Sequence, residues 1–378
     1  MKKFIPTKEK INMQCGCSCC LKEFQQNMTE NQIPSTSRRQ LLTYTSAVSL
    51  TGVAGCLGGT SQNTNSTADN GNRDSYPEEN IEIIVPWSQG GGTDRATRAT
   101  TPTWSETLDS NFVVQNYPGG STQVGGERLY NAEPDGYTIA MWNVPQMQAT
   151  WMFQDAPYGM DDFDYIGTHH LDPTMWFAPP ESPYEDMSEF IDYARDQNEV
   201  TVGTTAAIGN TALSALLVED TYDDVEFNLV NLEGGTPTRQ ATLAGNVDAS
   251  VNQPWAFNPD NIDEVIGLGT HTPERQDLWP APSFAELGLD DIPLVDQGFG
   301  QWKLVVAPGG FEESYPERYN QLVDSYSDVF EQEEFISRAE ELGGLDQILE
   351  YNDPDATTEE VQSYSNFMME YESLFDNF

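Results

Sequence analysis

A chain of 378 residues has room for two lobes, or for one core with appended segments. A formal net charge of −44 excludes nucleic-acid binding, which needs Lys and Arg to displace counterions from phosphates, while 38% hydrophobic residues with 16 Tyr, 17 Phe and 8 Trp exclude a disordered acidic chain. Beyond Cys56 there are ten basic and 58 acidic residues, and Lys303 is the only lysine; this bias reads as adaptation to molar salt, where the Debye length falls to about 3 Å.

All five cysteines lie at or before Cys56, so the part that folds has no disulfide and no cysteine metal site. The run Cys15, Cys17, Cys19 and Cys20 reads either as a metal tract, though no His is near, or as part of an over-extended start ahead of Met28. From Met28, Ser37-Arg38-Arg39-Gln40-Leu41-Leu42 precedes a stretch at 43–55 too short and too polar to span a membrane. Arg38 and Arg39 read as a twin-arginine export signal, and Val53-Ala54-Gly55-Cys56 as a lipobox whose thiol takes a lipid. The expected division is a leader at 1–55 and a lipidated Cys56 with a flexible polar tether at 56–75. The destination is then the outer face of the cytoplasmic membrane, held by the lipid anchor at Cys56.

Past residue 76, short apolar runs alternate with helix-like stretches, the pattern of an α/β protein with parallel sheets. Strands are predicted at 81–85, 112–115, 137–142, 200–204, 225–230, 247–251, 265–268 and 302–307. Helices are predicted at 94–101, 124–132, 188–196, 210–222, 238–244 and 317–342.

In the segment Trp87, Ser88, Gln89, Gly90, Gly91, Gly92, Thr93 and Asp94, a buried strand passes through glycines into a helix. Free backbone N–H groups and the positive end of a helix dipole make such a junction an anion site that needs no charged side chain. The other reading is a tight turn capped by Asp94. Ala207, Gly209, Asn210 and Thr211 form a second junction, and Gly234 with Gly235, Thr236 and Pro237 a third. Junctions at strand ends converge on one crevice, the usual ligand position in open α/β sheets. Asn143, Asn252 and Gln253 follow predicted strands and read either as amide donors to a ligand or as loop amides bonded to backbone. Trp87 is expected to face the ligand, with Trp142, Trp176, Trp255 and Trp302 in the core or between lobes. Arg95 and Arg98 are expected to pair with surface carboxylates. Adjacent His169 and His170 on a strand point to opposite faces, which argues against shared metal ligation. With no thiol in the folded part, three histidines and no Gly-x-Ser-x-Gly, catalysis has no support, so neither an enzyme nor a cofactor is expected.

The order of these motifs resembles the solute-binding receptors of tripartite tricarboxylate transporters. The matching residues are Tyr76-Pro77, the run 83–94, Val113 through Gly120, Gly125-Gly126-Glu127, Pro134-Asp135-Gly136-Tyr137-Thr138, Gly209-Asn210-Thr211, Gly234, Leu243 through Asp248, Pro282 through Gly288, and Trp302 through Pro308. The resemblance implies a two-lobed fold of the periplasmic-binding-protein kind, each lobe a mostly parallel sheet flanked by helices, with one lobe at 76–178, the other at 179–295 and a return at 296–378. It also implies that the loops at 87–94 and 207–211 hold the near end of a carboxylate. Departures occur at Trp87 and Gln89, where the family has Phe and a small residue, at Ala207 and Asn210, in place of Gly and a hydroxyl residue, and at Glu233, in place of Lys. The implied partners are a small di- or tricarboxylate and membrane permease subunits, with the receptor a monomer; the alternative is a ligand-sensing lipoprotein that feeds a membrane signalling protein.

Overall fold

A computed structural model describes residues 76–197, 199–257, 264–276, 279 and 281–375. The expectations for Arg38, Arg39, Cys56 and the rest of the leader and tether lie outside the described residues. Among the described residues, ten strands form two five-stranded sheets. The first contains β1 (Ile81–Val85), β2 (Phe112–Asn116), β3 (Thr138–Val144), β4 (Phe163–Pro173) and β10 (Gly300–Pro308), in the order β2-β1-β3-β10-β4. The second contains β5 (Met175–Ala178), β6 (Val200–Thr204), β7 (Phe227–Asn231), β8 (Ala249–Asn252) and β9 (Ile266–Thr270), in the order β7-β6-β8-β5-β9. In each sheet one strand runs against its neighbours: β10 between β3 and β4, and β5 between β8 and β9.

β1 shows why the sheets are covered on both faces. Its residues Ile81, Ile83, Ile84 and Val85 are all buried, a nearly continuous apolar run rather than an alternating one. The covering helices are α1 (Gly92–Leu108), α2 (Gln123–Tyr130), α3 (Gln146–Phe153), α4 (Met187–Arg195), α5 (Asn210–Thr221), α6 (Gly235–Leu243), the single turns α7 (Pro254–Phe257) and α8 (Phe311–Ser314), then α9 (Pro316–Val329), α10 (Glu333–Glu341) and α11 (Pro354–Glu370). α1 continues through Pro102 instead of ending before it. Proline costs a helical hydrogen bond, but the following turns bury Trp104 and Leu108, and the Trp104 indole donates to Ser325 Oγ of α9 at 3.0 Å. The helical stretch expected at 317–342 is two helices, because the chain turns at Phe330 with backbone bonds back to Ser327 and Asp328.

The strand run at 163–178 escaped the sequence reading. It is one extended passage that leaves the first sheet at Pro173 and enters the second at Met175, so residues 175–178 belong with the second sheet and not with the first lobe as expected. No turn residue marks the change, because the chain does not turn. At the crossing, Thr174 N–H donates to the Phe299 carbonyl (2.8 Å), and the Thr174 carbonyl accepts from His271 N–H (2.9 Å). Phe299 N–H donates in turn to the His271 carbonyl (2.8 Å), so the outgoing and returning chain segments cross side by side.

Two further features tie the sheets together. α11, capped by the Asp353 carboxylate on Ala356 N–H, places Val361 in a cluster with β3 and β10 residues, and Met368 in the core of the second sheet. A mixed cluster joins Ala96 and Ala99 of α1 to Met175, Phe177, Trp255 and Phe257, with the Phe177 and Phe257 rings stacked at 4.2 Å.

Candidate functional site

Between the two sheets lies a narrow cavity lined by Trp87, Ser88, Gly91, Gly92, Thr93, Thr205, Gly234, Gly235, Gln253, Gln301 and Lys303. Nine of these follow the carboxyl ends of β1, β6, β7 and β8, where strand-to-helix turns converge; Gln301 and Lys303 come from β10. A water-sized sphere finds room for its centre in about 20 Å³. That is little more than a single water needs, so a ligand of several carbon atoms enters only when the lobes part.

Two helices begin at the cavity without a side-chain cap, α1 at Gly92 in the first lobe and α6 at Gly235 in the second. Their first N–H groups have no intrahelical acceptor and carry the positive end of the helix dipole. Gly234 makes the second approach possible: at φ 132° and ψ 163° it occupies a region that only glycine adopts readily. The two loops meet across the cleft, since a Cβ built on Gly234 would stand 3.9 Å from Ser88 Oγ and one on Gly90 would stand 3.8 Å from Thr236 Oγ1.

Behind the cavity a chain of buried amides links the lobes. The Trp87 indole and the Thr93 hydroxyl both donate to Asn143 Oδ1 (2.5 and 3.1 Å), and Asn143 Nδ2 donates to Gln301 Oε1 (3.0 Å). Gln301 Nε2 donates to Gln146 Oε1 (2.8 Å), Gln146 Nε2 to Asn210 Oδ1 (2.6 Å), and Asn210 Nδ2 to Thr174 Oγ1 (2.8 Å) at the crossing. Each amide thus has its orientation fixed by its neighbours, and the Gln146–Asn210 bond joins α3 to α5 of the second lobe.

The site residues expected from sequence therefore separate. Trp87, Ser88, Gly91, Gly92, Thr93, Gly234 and Gln253 line the cavity. Gln89 is exposed, and Gly90 N–H donates to Asp94 Oδ2 (2.9 Å). Asp94 is buried and used locally: its Oδ1 accepts from Arg98 Nε and Asn116 Nδ2, both at 3.0 Å. Ala207, Gly209, Asn210 and Thr211 are not among the lining residues. Asn210 is turned into the amide chain, and Thr211 Oγ1 accepts from Thr205 N–H (3.2 Å), which leaves Thr205 to face the cavity. Asn143 and Asn252 support rather than line it, the latter with Nδ2 to the Gly235 carbonyl (3.2 Å).

Arg98 pairs with Asp94, and Arg95 reaches the second lobe, donating to the Trp255 carbonyl (2.9 Å) with its guanidinium 4.3 Å above that indole. A cation also reaches the cleft. Lys303 lines it while only 1% exposed, with Nζ 3.5 Å from Asp172 Oδ2 and no hydrogen-bond partner. Burial draws its pKa down, Asp172 pulls it up and Arg95 pushes it down, with the net shift downward. The sequence signal is the isolation of Lys303 as the only lysine after Cys56, which reads from sequence as part of the salt-adaptation bias and not as a site residue.

The histidine pair departs from the expected strand alternation. β4 slips register against β10 so that Lys303 faces His170 and Leu304 faces Thr168, leaving His169 as the extra residue of a bulge. Strand alternation fails there, and the two Nδ1 atoms lie 2.6 Å apart, with His169 Nε2 2.8 Å from Thr100 Oγ1. One Nδ1–H donates and the other Nδ1 accepts, so the accepting ring is neutral. Burial first and the Lys303 charge second press the His169 pKa down to about 3 and that of His170 well below its ordinary value.

The family model for tripartite tricarboxylate transporter family receptors matches residues 96–327. The chain belongs to that family. Its members are solute-binding receptors, extracytoplasmic proteins and not enzymes. Among relatives, a UPF0065 protein from Pseudomonas sp. (strain P51), in a tcbD-tcbE intergenic region, is 25% identical over 251 residues, 65% of this chain and 73% of that protein. Among solved structures, MatC from Rhodopseudomonas palustris with bound malate is 22% identical at TM-score 0.68, covering 80% of this chain and 100% of its own. The R. palustris protein Rpa4515 with adipate is 22% identical at TM-score 0.70, covering 79% and 98%. The receptor shares their mixed α/β architecture of two helix-flanked sheets. Among the described residues, no helix is long and apolar enough to cross a membrane.

Proposed function

We propose that this receptor captures a small organic carboxylate outside the cytoplasm and hands it to the permease subunits of a tripartite tricarboxylate-type secondary transporter. The observation that carries this reading is the pair of uncapped helix N-termini, α1 from one lobe and α6 from the other, that open on one cavity. Backbone N–H groups from opposite lobes grip the same anion only when the lobes are shut, so binding and closure are one event. The malate and adipate of the two R. palustris structures support the ligand class. Trp87, Ser88 and Thr93 then contact the ligand from the first lobe and Thr205, Gly234 and Gln253 from the second, while Asn143, Asn210 and Asn252 hold those elements in place. Export through Arg38-Arg39 and a lipid on Cys56 would keep this monomer at the membrane beside its permease.

Calorimetric titration in molar salt against mono-, di- and tricarboxylates tests the proposal. Saturable binding of at least one, with closure seen by small-angle scattering, is expected; the absence of binding across the panel overturns it.

A further inference from the structure

Lys303 stands out among the buried groups because its ammonium lines the cavity with an ion pair to Asp172 but no hydrogen-bond acceptor among the described residues. An ammonium group has three N–H donors and no acceptor. Among the described residues none of the three has a hydrogen-bond acceptor, and the Asp172 carboxylate sits at ion-pair distance, 3.5 Å. Gln253 Nε2, also on the cavity wall, is a second buried donor without a partner. Buried polar groups left unmatched are uncommon in native proteins, and two donors on one cavity wall, beside two helix N-termini, describe a guest that only accepts. Asp172 is itself held in place, its Oδ1 accepting from Trp255 N–H at 3.4 Å.

We propose that Lys303 binds the ligand's carboxylate directly and is the residue by which the receptor reads the ligand's negative charge. This rests on the receptor reading above and deepens it. Helix N-termini and amides also hold neutral carbonyl groups, whereas a buried ammonium discriminates between a carboxylate and the corresponding amide. Asp172 acts as a positioning residue, orienting Lys303 and balancing its charge when the lobes are open.

The test uses the full chain in molar salt with malate, adipate and citrate, and with adipamide as the uncharged counterpart of adipate. Lys303→Met alone strands Asp172 and risks the fold, so the informative variant is Lys303→Met with Asp172→Asn, which removes both charges together. We expect this double variant to fold and to bind the carboxylates about ten- to hundredfold more weakly, the worth of a charged hydrogen bond, with preference for adipate over adipamide lost. Unchanged affinity and preference would overturn the role of Lys303 while leaving the receptor reading intact. If the unsubstituted chain binds none of the mono-, di- and tricarboxylates of the panel, the receptor reading fails and this inference with it. A second readout needs no variant that must fold: with lysine labelled at 13Cε, the resonance of buried Lys303 should shift at saturation with a bound acid, and a resonance that stays in place refutes direct contact.

Discussion

The three histidines of the chain set an acid limit on its stability. His169, His170 and His271 are fully buried, and burial presses His169 down to about 3 and His271 to about 4, with His170 well below its ordinary value of 6.5. A base whose folded pKa lies below its unfolded one binds its proton only on unfolding. Its stabilising effect is therefore complete above the unfolded value and is lost as pH falls from 6.5 toward 3. One unit below that value, each histidine removes about 1.4 kcal/mol, and the three together about 4 kcal/mol. That is a large share of the roughly 5–15 kcal/mol that holds a domain folded. Glu219 and Glu360 oppose the trend, because burial raises their carboxyls and protonation then favours the folded state; this acts nearer the carboxylate range. The clean window therefore lies between about pH 6.5 and 5. Guanidinium denaturation in molar sodium chloride should show a midpoint falling steeply across it, with proton uptake on unfolding. His271→Gln should reduce the slope by about a third, on equal weighting of the three rings. A midpoint that is flat or rises on acidification would refute the assignment of neutral buried rings.

Further outcomes follow from the site. Gly209→Ala places a Cβ 2.7 Å from Gln146 Nε2 at a φ of 131°, and should disturb the Gln146–Asn210 link, cost about 1–3 kcal/mol and leave the lobes more open by small-angle scattering. Gly126→Ala sets a Cβ 2.2 Å from both the Trp142 ring and the Tyr158 hydroxyl, so thermal unfolding should reveal a loss of about 3 kcal/mol. Asn143→Leu strands the Trp87 indole and the Thr93 hydroxyl and should weaken carboxylate binding about tenfold or more while the second lobe's fold persists, read by titration and circular dichroism. With 58 acidic and ten basic residues past Cys56, dilution from molar salt to about 10 mM extends the screening length from about 3 to 30 Å and should unfold the chain, as followed by circular dichroism.

The sequence by itself determined the class of fold and the place of the cleft. Continuous apolar runs such as Ile83-Ile84-Val85 mark strands covered on both faces, and the glycines at 90–92 and 234–235 mark turns into helices; both signals are local, because backbone sterics and burial act over a few residues. Tertiary structure alone decided where the chain crosses between sheets, since 163–178 stays extended through the crossing and carries no break to read. It alone decided that Asn210 faces an amide chain while Thr205 faces the cavity, which depends on Gln146 lying 64 residues away in sequence. The bulge at His169 likewise reverses an alternation that single-strand geometry predicts, and the bulge exists only in the pairing with β10. A lysine's position in the sequence reveals its scarcity but not its surroundings. Lys303 became a cation in a cleft only when β10 packed between β3 and β4, because the cost of burying a charge is set by distant neighbours rather than by adjacent residues.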